Sequence, residues 1–392
     1  MTGDDDFQPM TVASYAAQAL STDQHSDGGS LSFPMLGLFG ETGSLLSEVK
    51  KKQRDKASYL GYADTVAEEL GDVLWYLTVV ASRLGIGLDE LIANLEAKFG
   101  DWRAGGDPSL TFAALQPAIM DRRGEPSPAF EATLLRLAGE VGGLVGAEFS
   151  AISGNRAAVA GRLVTILRGL VQAATEAGVT LEAAAVKNLM KTADRWPTER
   201  RYPEAFDAGS PEEERLPRKL SIEIFEREVG GGAYVFQRCN GVNIGDRLTD
   251  NAAVEDHYRF HDVFHLAHVA VLGWSPVVRS LLRLKRKSDP KVDEAQDGAR
   301  AILIEEGVTT WIFGQAARLD HFAGLGPGQL PFDLLKNVRQ FVAGYEVEDC
   351  PLWLWEEAII QGYAAFRFLR EHRRARLHID MGNRRLRFEP LP

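Results

Sequence analysis

The stretch Glu68-Glu69-Leu70-Gly71-Asp72-Val73-Leu74-Trp75-Tyr76 decides how this chain is read. Glu69 and Asp72 are one helical turn apart, so a helix sets both carboxylates on one side. Val66, Leu70, Val73, Leu74 and Leu77 recur around them at helical spacing and call for burial. Upstream, Glu41 and Glu48 share the face of another helix, beside Leu45 and Leu46. Acidic groups beside a helix–helix seam are costly unless a cation or a base compensates them. Facing each other, these carboxylates make a hard oxygen site suited to Mg²⁺ or Mn²⁺. A solvated acidic helix face is the plainer alternative.

Gly40-Glu41-Thr42-Gly43-Ser44 and the stretch 68–76 resemble the two signature helices of MazG-type all-α nucleotide pyrophosphohydrolases. The resemblance covers about 70 residues, and the domain is expected at 30–105. That family pairs E-x-x-E on one helix with E-x-x-D on the next. It adds an Asn and a Lys on its last helix, matched by Asn94 and Lys98. The second Glu of the first pair is Ser44 here. The resemblance therefore assigns metal ligation to Glu41, Glu69 and Asp72, with Glu48 as a substitute ligand. It implies that metal-activated water attacks a nucleoside or deoxynucleoside triphosphate, releasing a monophosphate and pyrophosphate. Glu68 or Glu48 would take the proton, Asn94 would meet base or sugar, and Lys98 the phosphates, unless Lys98 is simply an exposed helix lysine. Ser44 leaves a second reading open: a regulatory or defence protein that senses a nucleotide without efficient turnover.

The chain also repeats itself. Gly37-Leu38-Phe39-Gly40-Glu41-Thr42-Gly43 parallels Arg136-Leu137-Ala138-Gly139-Glu140-Val141-Gly142, and Leu84-Gly85-Ile86-Gly87-Leu88 parallels Ala177-Gly178-Val179-Thr180-Leu181. Each copy ends in an Asn, a Lys and a Trp: Asn94, Lys98, Trp102 and Asn188, Lys191, Trp196. In the second copy Arg162 and Thr165 stand where the first has Glu69 and Asp72, so 129–200 reads as a degenerate copy that holds no metal. MazG-type domains generally act as oligomers. The chain is thus expected to be a homo-oligomer or an internal pseudo-dimer, with Asn188, Lys191 and Arg195 able to reach substrate across the copies.

A different chemistry appears further on. His257, His261, His265 and His268 fall within twelve residues, with Asp262 among them. At helical spacing they form an imidazole stripe suited to Zn²⁺, Mn²⁺ or Fe²⁺. Glu294, Asp297, Glu305 and Glu306 follow on a second helix and could complete the coordination sphere or orient the rings. His261, Asp262, His265, Glu305 and Glu306 are the expected metal ligands, with His257 and His268 serving substrate. Phe260-His261-Asp262 is similar to HD-type metal phosphohydrolases. Between the helices Arg283, Lys285, Arg286, Lys287 and Lys291 form a basic segment, either a phosphate grip through Lys285 and Lys287 or a solvated loop.

The expected architecture is mainly α: two tandem helical bundles and a mostly helical C-terminal domain at 218–392 with a small β-hairpin. Residues 1–29 read as a flexible arm and 106–128 as a linker. The hairpin is expected at Leu220–Glu226 and Ala233–Arg238 around Gly230-Gly231-Gly232, with a terminal strand pair around Gly382-Asn383. A net charge of −11 argues against long nucleic acid but not against a nucleotide bound through a metal. Apolar runs such as Val73 to Ala81 are too short to span a bilayer, and two cysteines with no leader-like start fit a reducing cytoplasm.

Overall fold

The computed structural model describes residues 9–24, 30–96, 105–116, 119, 125–146 and 156–391. The protein is mainly helical, with one antiparallel five-stranded sheet, and it divides into two compact units, Met1–Ala193 and Asp194–Pro392.

The first unit holds α1 (Val12–Ser21), α2 (Ser32–Asp55), α3 (Tyr62–Arg83), α4 (Leu88–Ala93), the short α5 (Phe112–Leu115), α6 (Pro128–Val145), α7 (Arg156–Ala177) and α8 (Leu181–Arg195), the last running past its boundary. α3 buries Val66, Leu70, Val73, Leu74 and Leu77, the face its periodicity requires. The breaks fall where glycine or a capping residue stops the helix: Gly85, at φ +70°, follows α3, and Ser127 caps α6 just before Pro128.

The stretches expected as two bundles share one core rather than standing apart. One continuous core runs from Val12 to Ala185, with α2 packed on both α3 and α6, and α3 on α7. The apolar faces of α2 and α3 are too wide to be closed by their own half alone. Phe112, in the expected linker, is fully buried in that core. The expected arm is corrected as well: Val12, Tyr15 and Ala19 of α1 are fully buried, and Trp75 Nε1 donates to Ala19 O at 3.1 Å. Among the described residues α7 alone is long and apolar enough to cross a bilayer, but Leu163, Ile166, Leu167 and Leu170 bury it in this core.

The second unit orders its strands β3-β2-β1-β4-β5, formed by β1 (Lys219–Val229), β2 (Gly232–Cys239), β3 (Val242–Leu248), β4 (Arg374–Asp380) and β5 (Arg385–Glu389). Both expected hairpins are present, and β1 pairs with β4 to merge them, Ile222 facing Leu377. A third strand joins through Asn240-Gly241, both with positive φ, the backbone a two-residue hairpin turn requires. The helices are α9 (Asp262–Ala267), α10 (Pro276–Leu282), α11 (Pro290–Ala295), α12 (Ala299–Ala316), α13 (Phe332–Phe341) and α14 (Leu352–His372). A wide π turn, His268–Leu272, continues α9. The apolar sheet face, including Ile222, Ile224, Leu377 and Ile379, shares a core with α9 and α14.

The basic segment is corrected in part. Arg286 is buried and gives both arms to carboxylates, Asp297 at 2.7 Å and Glu346 at 2.7 Å. Arg279 bonds Asp207 at 2.8 Å and approaches Asp297 at 3.7 Å. Asp297, a candidate for completing a metal sphere, is thus spent on two arginines. Asp207 also accepts from Leu216 N and Arg218, which ties the stretch before β1 into the unit. Removing one partner of such a network leaves buried charge uncompensated. Asp297→Ala should therefore cost about 3–5 kcal/mol in urea unfolding, whereas exposed Lys287→Ala should cost under about 0.5 kcal/mol. Equal midpoints for the two variants would refute this account of the network.

Candidate functional site

Three carboxylates of the first unit converge. One oxygen each from Glu41 on α2 and Glu69 and Asp72 on α3 lie within 4.8 Å of one another. They sit half-buried at the edge of the α2–α3 seam, which sets anions side by side where water screens them poorly. Burial, then Glu41 and Asp72, push the Glu69 carboxyl up to about 8. Glu69 Oε2 is buried without a hydrogen-bond partner. Burial and the same two neighbours, Glu41 and Asp72, raise the adjacent Tyr76 phenol to about 12.

The groups that answer this charge come from α8. Asn188 Nδ2 donates to Asp72 Oδ1 at 2.9 Å, and Lys191 Nζ bonds Asp72 Oδ2 and lies 2.8 Å from Glu68. Burial opposes the charge of Lys191, but Asp72 and Glu68 hold its pKa above the ordinary lysine value. Gly71 makes this approach possible. A Cβ there would meet Ala184 O at 2.4 Å and Asn188 Cβ at 3.0 Å, so a side chain would lift α8 off α3.

The other candidate residues of this unit fall elsewhere. Glu48 is buried but does not join the three carboxylates; it accepts from the Tyr59 hydroxyl and from Lys51 at 2.5 Å. Glu68 is engaged by Lys191. Asn94 is buried at the C-terminal cap of α4 and donates to Glu90 O at 2.8 Å. Lys98 lies outside the described residues. Arg162 donates to Gly143 O at 2.9 Å and Thr165 to Gly161 O at 3.0 Å. Among the described residues, the Asn and Lys bonded to the carboxylates are Asn188 and Lys191. Arg195 pairs instead with Glu356 at 2.5 Å.

In the second unit the imidazole stripe is shorter than its spacing implies. His257 precedes the helix with a left-handed backbone, φ 68°, and its Nδ1 lies 3.1 Å from Arg373. His261, His265 and Glu306 form one group of possible ligands within 4.8 Å, and His265, His268 and Glu305 form another. Asp262 joins neither group: one oxygen lies 3.1 Å from His261 Nε2 and the other accepts from Gln237. Burial resists protonation of His265, but Glu305 draws its pKa well above the usual value; burial lowers that of His268. Burial likewise resists the charge on Glu305, yet His265 and His268 hold its carboxyl at about 2. Lys285 is half-buried and Lys287 exposed, flanking the committed Arg286.

Residues 32–101 match the family model of the MazG nucleotide pyrophosphohydrolase domain. Residues 201–392, which include Phe260-His261-Asp262, match that of the MazG C-terminal domain. A curated relative, the Gene 37 protein of Mycobacterium phage L5, is 40% identical over 60 residues, 15% of this chain and 53% of that protein. The match thus spans about half the length of that relative. No solved structure matches the chain.

Proposed function

We propose that the first unit is a nucleoside triphosphate pyrophosphohydrolase. The observation that carries this reading is the convergence of Glu41, Glu69 and Asp72 beside Lys191 and Asn188. The match of residues 32–101 to the pyrophosphohydrolase domain supports it. The donors are hard oxygens and Glu69 Oε2 lacks a partner, so the set fits Mg²⁺ or Mn²⁺. When bound, the ion would neutralise the phosphates and acidify the attacking water. Glu41, Glu69 and Asp72 would hold it. Glu68, joined to Asp72 through Lys191, would accept the proton, and Lys191 would turn from these carboxylates to the substrate's phosphates.

The stretch 129–200 is proposed as a degenerate second copy, so that one chain is its own pseudo-dimer. The packing of α8 on α3, and of α4 on α7, supports this exchange of last helices. A cytoplasmic nucleotide pool suits this chemistry. Ser44 and the cation already placed by Lys191 favour a second reading, a sensor that binds nucleotide without turnover.

Turnover assays against the eight common ribo- and deoxynucleoside triphosphates, with and without Mg²⁺ or Mn²⁺, separate the readings. Pyrophosphate release is expected with metal, falling at least about 100-fold in Glu69→Ala and Asp72→Ala, since a lost ligand costs several kcal/mol at the transition state. Wild-type turnover in both variants would reject the site; nucleotide binding with no turnover in the wild type would favour the sensor. Arg162→Ala with Thr165→Ala should leave the rate within about twofold, because each is bonded to a backbone carbonyl and neither belongs to the three-carboxylate group.

Metal affinity should also depend on pH. Because the folded pKa of Glu69 is raised, its ionisation costs stability as pH climbs from the ordinary carboxylate range to about 8, and the ion must displace that proton. Mg²⁺ should therefore raise the melting temperature more at pH 8.5 than at pH 6, and not at all in Glu69→Gln. An equal shift at both pH values would contradict this electrostatic account.

A further inference from the structure

The structure assigns a second, independent metal centre to the C-terminal unit, with His261 Nε2, His265 Nε2 and Glu306 Oε2 as the protein ligands of one divalent transition ion. Glu306 Oε2 lies 3.5 Å from His265 Nε2 and 3.9 Å from His261 Nε2. Ligands about 2.0–2.2 Å from a common ion stand at similar separations, so little movement is needed to close on it.

The surroundings select these atoms. His261 Nδ1 lies 2.9 Å from Tyr258 O, and a carbonyl can only accept, so Nδ1 carries a hydrogen and Nε2, 3.1 Å from Asp262 Oδ1, is the nitrogen that can exchange a proton for an ion. Tyr258 also stacks on that ring, at 4.4 Å and 3° between planes, which fixes its direction. His265 Nδ1 lies 2.9 Å from Glu305 Oε1, placing a carboxylate behind the ring. Glu305 is itself held, since its other oxygen accepts from Ser275 Oγ and Val277 N, each at 2.9 Å. A carboxylate, an imidazole and then a metal is the usual order in such centres. His265 is fully buried, and its Nε2 faces Glu306 without a hydrogen bond. A proton on that ring or an ion shared with Glu306 answers this pair, and metal binding takes the place of the proton.

The neighbouring group of His265, His268 and Glu305 is a different object. Its side chains are at most 3% exposed, and His268 Nδ1 satisfies Glu305 directly at 3.0 Å. It is a sealed support. The Glu306 side chain is 37% exposed, which gives the proposed centre an entry path and open positions for solvent or a substrate oxygen. Two imidazoles and one carboxylate favour Zn²⁺, Mn²⁺, Fe²⁺ or Co²⁺ over Mg²⁺. This assignment makes His268 and Glu305 positioning residues and excludes His257.

Elemental analysis of the full-length protein, loaded with Zn²⁺ or Co²⁺ and desalted, tests it. About one ion per chain is expected in the wild type and in Asp72→Ala, which lacks the other site. His261→Ala and Glu306→Ala should lower that content at least about tenfold, and Glu305→Gln should weaken Zn²⁺ affinity about 10–100-fold. Circular dichroism shows whether each variant is folded. If His261→Ala is not, the half-exposed Glu306→Ala decides, together with the visible Co²⁺ spectrum of the wild type. A folded wild type that retains no added metal, or a Glu306→Ala protein that retains all of it, would overturn the assignment.

Discussion

Three half-buried carboxylates that repel one another are the constraint on which the first unit turns. Folding α2 against α3 to bury Leu38, Leu45, Val66, Leu70 and Leu74 forces Glu41, Glu69 and Asp72 together. The apolar faces supply the driving force, and the carboxylates oppose it. The cost is offset in part by a proton on Glu69 and in part by Lys191. A site that must be neutralised to be stable is also one that favours a cation, which is why the constraint points to function.

The remaining offset depends on how closely α8 approaches. Gly71 sits inside the E-E-L-G-D stretch, where a glycine in a helix interior costs about 1 kcal/mol relative to alanine. The structure shows the compensation: contact with the Ala184 carbonyl, which lets Asn188 and Lys191 reach Asp72. One residue therefore couples helix packing to the electrostatics of the cluster. Local propensity loses to tertiary contact there.

Much of this was legible from periodicity and spacing. The helical faces of α2 and α3 and both hairpins follow from local rules. The amphipathic pattern set Glu41, Glu48, Glu69 and Asp72 beside the seam, and the family resemblance narrowed the ligands to Glu41, Glu69 and Asp72. Local rules do not say which helix crosses to which neighbour, so they do not place Asn188 and Lys191 at Asp72. Nor do they reveal that Tyr59 and Lys51 capture Glu48, or that His257 leaves the helix through a left-handed backbone. Asn240-Gly241 did carry a local signal, and the third strand could have been read from it.

The charged residues of the two units differ in one respect that separates scaffold from site. Asp297, Asp207 and Glu356 are deeply buried, and each carboxylate is taken up by arginines and backbone N–H groups. Arg286 and Arg195 likewise direct their guanidinium groups at these partners. Such networks hold the fold and leave little to offer a ligand. Glu69 Oε2 and His265 Nε2 are buried without that satisfaction, and both belong to groups of converging ligand atoms. Unpaired buried atoms also occur at Glu90, Glu176 and Trp274, where no such group forms among the described residues. The convergence of ligand atoms, more than the missing partner, is therefore what separates the two proposed sites from the scaffold.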